Sequence, residues 1–166
     1  MSGMKAQPNP RSKKILTLDQ LDRKLAARRA YGEVVVMTNG CYDLLHPGHI
    51  ASLEFARAQG DLLVVGLNSD RSVRELKGPD RPIFSEADRA AMLAALACVD
   101  YVVVFDEASV EPLVERILPD VLVKSAEYAV QEVVGHEIVT QNGGRIVLAP
   151  MKPGFSTTQL VHRLAG

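Results

Sequence analysis

Five short apolar runs recur along the chain: VVVM (34–37), DLLVVGLNSD (61–70), YVVVF (101–105), DVLVK (120–124) and RIVLAP (145–150). A stretch with helical spacing separates each run from the next: HPGHIASLEFARAQG (46–60), SEADRAAMLAALA (85–97), EASVEPLVERIL (107–118) and a helical candidate over 129–140. The runs are continuous in valine and leucine rather than alternating with polar residues, so each strand is expected to be buried on both faces. Strands that alternate with helices of about ten residues join as parallel neighbours through right-handed crossovers. The expected fold is therefore an α/β, doubly wound sandwich around a five-stranded parallel sheet. In such a sheet ligands bind beyond the carboxyl ends of the strands, where the strand order reverses.

Two further helices frame this core. ILTLDQLDRKLAARRAYG (15–32) has apolar residues at Leu18, Leu21, Leu25 and Ala26, with Thr17 as N-cap and Gly32 at the C-terminal stop. STTQLVHRLA (156–165) is expected as the last helix. Ser85, with Asp88 three residues on, reads as a capping pair. RSVRELKGPDRPIF (71–84) reads as a polar segment able to fold over a cleft. The expected organisation is a flexible tail over 1–14 and one domain over 15–166 that includes the N-terminal helix.

Charge excludes several classes of function. With 19 basic against 20 acidic side chains there is no broad basic surface for nucleic acid. No apolar run reaches membrane-spanning length, and MSGMKAQPNPRSKK lacks the apolar centre of a secretory signal. Cys41 and Cys98 lie far apart without CxxC spacing, which fits a reducing compartment and gives cytoplasm as the expected location. No GxGxxG follows the first strand, which disfavours hydride transfer on a dinucleotide. A flavin-type redox domain on a similar sheet would give a yellow protein.

The stretch TNGCYDLLHPGHI (38–50) follows the first strand directly and carries His46 and His49 around Pro47-Gly48. Three readings are open for the pair. Cys41, His46 and His49 offer three metal ligands, but a structural zinc site needs a fourth, and His136 and His162 are distant in sequence. The histidines can also be polar residues at a helix start. Finally, Pro47 suits a first helical turn, Gly48 admits a ligand close to the backbone, and free amides there hold anions. Two imidazoles three residues apart can then face one bound phosphate.

TNGCYDLLHPGH resembles the HxGH signature of cytidylyltransferase-like nucleotidyltransferases, and GFSTTQLV (154–161) is similar to their G-x-S-T-T segment. VVGLNSDRSVRELKGPDRPI, DRAAMLAALACVDYVVVFDE and LPDVLVKSAEY further resemble bacterial heptose-1-phosphate adenylyltransferases of the stand-alone form, over about residues 33–164. The resemblance implies a Rossmann-like HxGH fold and transfer of a nucleoside monophosphate from ATP, with Mg2+, to D-glycero-D-manno-heptose 1-phosphate. ADP-heptose and pyrophosphate would be the products, serving lipopolysaccharide or surface-polysaccharide synthesis. Related pairs (GTP with heptose 1-phosphate, or CTP with glycerol 3-phosphate) and a non-catalytic nucleotide-binding domain are the alternatives. Relatives commonly associate, and YVVVF with the helix before it offers apolar surface at a sheet edge, so a homodimer or higher homo-oligomer is expected.

By the same resemblance His46, His49 and Lys77 are the catalytic candidates, the histidines at the α-phosphate and the lysine at the other phosphates. Thr38, Asn39, Gly40, Asp43 and Gly48 would line the nucleotide cleft; Asp43 either bonds the sugar or orients loop amides. Ser156, Thr157 and Thr158 would form a second phosphate-holding helix start. Asn68, Asp70, Arg81, Arg89 and Lys124 are substrate or phosphate candidates, and no protein metal ligand is expected, because Mg2+ is carried on the triphosphate. Two departures stand out. Where many relatives read LVKGGDY or LVKGADY this chain has LVKSAEY, whose Cβ atoms restrict a turn usually rich in glycine. APMKPG has Met151 and Lys152 where relatives often carry arginine.

Overall fold

The computed structural model describes residues 13–154. Its elements are α1 (Leu18–Ala30), β1 (Val35–Gly40), α2 (Pro47–Arg57), β2 (Leu62–Asn68), α3 (Asp70–Lys77), α4 (Glu86–Ala94), β3 (Tyr101–Phe105), α5 (Glu111–Ile117), β4 (Val121–Ser125), α6 (His136–Gln141) and β5 (Arg145–Ala149). All five strands pair in parallel in the order β3-β2-β1-β4-β5. The order reverses between β1 and β4, so the crevice for a ligand is expected beyond Gly40 and Ser125.

Successive side chains of each strand supply opposite layers. Val35, Met37, Leu62, Val64, Val103 and Leu122 pack with Leu21 and Leu25 of α1, Leu113, Val114 and Ile117 of α5 and Val139 of α6. Val36, Leu63, Val65, Leu67, Val102 and Val121 face the other way, onto Leu53 and Ala56 of α2 and Ala90, Leu93 and Ala94 of α4. Burying each such valine or leucine contributes about 2 kcal/mol. The doubly wound sandwich with a five-stranded parallel sheet is borne out.

Several termini are set by the expected residues. Thr17 caps α1 in a capping box with Gln20, and the Ser85 side chain accepts from the Asp88 amide at α4. Two stretches differ from expectation. RSVREL, read only as a polar segment, is helical: Ser69 caps α3 by accepting from the Ser72 amide, and Val73 is its buried anchor. Residues 129–140 do not form one helix. A short 3-10 turn at Val130–Glu132 gives way at Gly135, whose φ of +89° is left-handed, and α6 starts after it.

The sheet edge at β3 is partly covered. Ile15 bridges Val102 in parallel, the Leu16 amide donates to the Val102 carbonyl, and Lys14 Nζ donates to the Leu96 and Val99 carbonyls at 3.0 and 2.7 Å. YVVVF is thus an edge strand, but one end of its edge is occupied by the chain's own residues. Of the tail expected over 1–14, only Lys13 and Lys14 are among the described residues.

Candidate active site

β1 delivers Thr38, Asn39 and Gly40 to the carboxyl edge of the sheet, and the following loop turns into α2 at His46. His46 is the N-cap: its Nδ1 accepts from the Gly48 amide at 3.1 Å and the His49 amide at 3.4 Å. That acceptor role places the proton of the neutral ring on Nε2. Capping and ligand binding are therefore two uses of one side chain. Pro47 occupies the first helical turn, where a missing N–H costs nothing.

His49 lies one turn along α2. Its ring stacks on that of His46 with centroids 3.8 Å apart, and Tyr42 meets it edge-on at 5.2 Å. Burial, then the neighbouring His46, pushes the His49 pKa down to about 4, against the opposing effect of the Leu44 backbone. Burial also lowers His46. With both pKa values lowered, the pair is neutral near pH 7 and presents N–H dipoles rather than charge.

The charge comes from elsewhere in the same cleft, a cavity of about 450 Å³ lined by residues at the ends of three strands, β1, β4 and β5. Lys77, the last residue of α3, reaches it from the β2 side, where Gly78 stops the helix with φ +102°. Lys124 enters from β4; its Nζ donates to the Asn39 carbonyl at 3.3 Å, across the point where the strand order reverses. Desolvation lowers the Lys124 pKa to about 8. Lys152 lies on the β5 side. Three lysines and two imidazoles facing one carboxylate, Glu127, suit a polyanion. A second hollow of about 580 Å³ over α4, lined by Leu45, Phe84, Asp88, Ala91, Met92 and Ala95, presents an acid and no cation.

Of the residues singled out from sequence, Thr38, Asn39, Gly40, His46, Gly48, His49, Lys77 and Lys124 meet in the cleft. Five others turn inward. Asp43 is buried, pairs with Arg81, and accepts from the Ile83 and Phe84 amides at 2.7 and 3.1 Å, so it orients loop amides and does not line the cleft. Arg89 is fully buried and donates to the carbonyls of Phe84, Cys41 and Asn68 and to Asp70 Oδ1. Asn68 Nδ2 bonds Ser72 Oγ at 2.9 Å. In the structure Asp43, Asn68, Asp70, Arg81 and Arg89 lie outside the cleft lining and join in a scaffold that locks α3 and the 81–85 segment behind the histidines. Ser156, Thr157 and Thr158 lie outside the described residues. Among the described residues no group of three His, Cys, Asp or Glu side chains could hold a metal ion, and no helix is long and apolar enough to cross a membrane.

Sequence reasoning named Met151, Lys152 and the SAEY turn (Ser125, Glu127, Tyr128) as departures and Cys41 only as a metal candidate, and missed Tyr42 and Ser52 as lining residues. Ser52 could have been found from its place three residues after His49 on one helix face. The SAEY turn lines the cleft directly. The Tyr128 amide donates to the Ser125 carbonyl and the Ala126 amide to the Ala149 carbonyl, which ties the turn to β5. Among the described residues only Tyr42 and Leu118 are non-glycine residues with positive φ, so Ser125 and Ala126 fit this turn without left-handed strain.

A five-stranded parallel sheet with a histidine-capped helix at its order reversal defines a Rossmann-like domain of nucleotidyltransferase type. Residues 37–163 match the cytidylyltransferase-like family, and the chain belongs to it. It is 50% identical over 151 residues to the bifunctional protein HldE of Syntrophotalea carbinolica and 54% identical over 148 residues to that of Nitrobacter hamburgensis. The matches cover 91% and 89% of this chain but only 31% and 30% of those proteins, so the chain spans about a third of their length. Among solved structures, a lipopolysaccharide core biosynthesis protein from Thermoplasma volcanium superposes with a TM-score of 0.58 at 27% identity, covering 73% of this chain and 98% of that one. The pantoate-beta-alanine ligase of Francisella tularensis, complexed with a β,γ-ATP ligand and β-alanine, has a TM-score of 0.57 at 14% identity over 89% of this chain and 75% of that one, a likeness of fold alone.

Proposed function

We propose that this domain is an enzyme that transfers the adenylyl group of ATP to D-glycero-D-manno-heptose 1-phosphate, forming ADP-heptose and pyrophosphate. The observation that carries the reading is the neutral His46–His49 stack at the start of α2, with Lys77 and Lys124 in the same cleft. The relatives at about half identity and the lipopolysaccharide core neighbour support the sugar class.

In this reaction an oxygen of the sugar phosphate attacks the α-phosphorus in line, and the bond to the β-phosphate bridging oxygen breaks. Negative charge spreads over the non-bridging oxygens, and positioned donors lower its energy more than they stabilise the ground state. The stacked His46 and His49 rings at the start of α2 are such donors, held in place by the cap. Lys77 and Lys124 neutralise the two phosphate-bearing substrates, which would otherwise repel one another. Mg2+ enters as part of the MgATP substrate; among the described residues the cleft has one carboxylate, which offers no protein cage for it. Cytoplasm fits the nucleotide supply, and a homodimer or higher homo-oligomer remains the expected assembly, testable by light scattering.

Pyrophosphate release over a panel of ATP, GTP and CTP with heptose 1-phosphates and glycerol 3-phosphate tests the reading. ATP with D-glycero-D-manno-heptose 1-phosphate is expected to dominate. Turnover confined to CTP with glycerol 3-phosphate would overturn it, and nucleotide binding without turnover on any pair would favour a non-catalytic domain.

A further inference from the structure

Among the described residues only Tyr42 and Leu118 hold a left-handed backbone without being glycine, and of the two only Tyr42 lines the cleft. Its φ is +46°, a conformation that a residue with a Cβ keeps only where its surroundings hold it. Three contacts do so. Gly40, the last residue of β1, leaves room for the ring: a methyl group there would lie 3.1 Å from Tyr42 Cε2 and 3.4 Å from Cζ. The hydroxyl is buried, and desolvation pushes its pKa up to about 12, against the opposing effect of a hydrogen bond with the Thr38 side chain. The ring meets His49 edge-on, with centroids 5.2 Å apart and planes at 62°. Beyond these contacts Tyr42 packs on the core layer that α2 and α4 supply.

His49 thus has two aromatic neighbours, His46 stacked on it and Tyr42 at its edge. These are the titratable side chains that face it; Cys41 and Cys98 lie near the Tyr42 hydroxyl, and Lys77, Lys124, Lys152 and Glu127 share the cleft. A ring held at three points is a stiff wall, and an imidazole packed against it keeps both its orientation and its distance from water. We infer that Tyr42 is a positioning residue for the reaction: its ring, wedged between Gly40 and His49 and tied to Thr38, fixes the His49 imidazole in the stack on His46 and screens it from water. The inference rests on nucleotidyl transfer as the function of the cleft and deepens it by giving the left-handed turn after β1 a task in that reaction.

NMR titration of the histidines in the full chain, beside steady-state kinetics, tests it; the His49 signal is assigned by its loss in His49→Gln. In the unmodified protein His49 is expected to titrate near 4. Tyr42→Ala should raise that value by about one unit or more, as water reaches the ring. The same variant should lower kcat at pH 7 roughly tenfold or more, the scale of a misplaced catalytic group, with the KM for MgATP little changed. Tyr42→Phe, which keeps the ring, should restore both. Where Tyr42→Ala fails to fold, Gly40→Ala decides, since it displaces the ring with the tyrosine still present and should raise the His49 value in the same way. A His49 pKa that stays near 4 in the folded variant, or one that rises with kcat intact, overturns the inference while leaving nucleotidyl transfer standing. Absence of turnover in the unmodified protein overturns both.

Discussion

The His46 and His49 rings stack with centroids 3.8 Å apart and planes 22° from parallel. Two imidazolium ions at that separation would repel strongly, so the stack disfavours double protonation, and burial lowers both pKa values further. In the proposed reaction the labour divides accordingly: imidazole dipoles orient and lysines neutralise.

Replacing His46 removes both a cap and a donor, and two substitutions separate them. His46→Asn keeps an N-cap side chain, so stability should stay near that of the parent, whereas His46→Ala should lose about 1 kcal/mol. Both should lower kcat by roughly a hundredfold or more, as loss of a transition-state donor does. Urea denaturation beside single-turnover kinetics checks the pair; full activity in the asparagine variant would remove the donor role.

His49 also gives acid sensitivity a definite sign. Its folded pKa is about 4, below the ordinary 6.5, so between those values the unfolded chain binds more protons. Its contribution to stability is complete above about pH 6.5 and declines as pH falls towards 4. His49→Gln should flatten that part of the stability profile, measured by denaturant midpoints from pH 7 to 4.

Lys124 runs the other way for ligands. Its amine, near pKa 8 in the folded protein, is charged at pH 7 and loses its proton as pH rises through 8. Binding of a phosphate ligand should take up a proton and weaken above pH 8, and Lys124→Met should abolish that dependence while lowering affinity. Fold stability should instead rise between about pH 8 and 10.5, because only the unfolded lysine is still charged there. Calorimetry in buffers of different ionisation enthalpy measures the proton uptake.

The sheet was legible because burial on both faces leaves a mark in sequence, an unbroken valine and leucine run, and the two capped helices because caps are local. α3 was not, since Val73 is its one buried apolar anchor among charged neighbours and its cap only makes sense once β2 is known to end at Asn68. In the site, His46, His49 and Gly48 lie within one turn and were readable together. Arg89 and Asp43 were misplaced for the opposite reason: their partners lie 5 to 48 residues away, and a basic or acidic side chain near a phosphate motif looks the same whether it faces the ligand or the backbone.

That internal role carries its own prediction. Arg89→Met should cost about 3–5 kcal/mol, leaving Asp70 and three carbonyls unpaired, and Arg89→Lys should restore little because a single ammonium cannot span the four acceptors. Asp43→Ala should lower the melting temperature comparably by freeing the Ile83 and Phe84 amides. If either variant melts like the parent while losing only substrate affinity, the scaffold assignment fails.

Ser125 and Ala126 occupy their turn with ordinary negative φ, and the Ala126 amide is bonded to Ala149. The backbone there accepts nearly any side chain except proline, and a side chain at position 125 lines the cleft. Such a position lets a lineage, or a directed-evolution library, exchange the recognised substrate by point substitution without first repairing the fold.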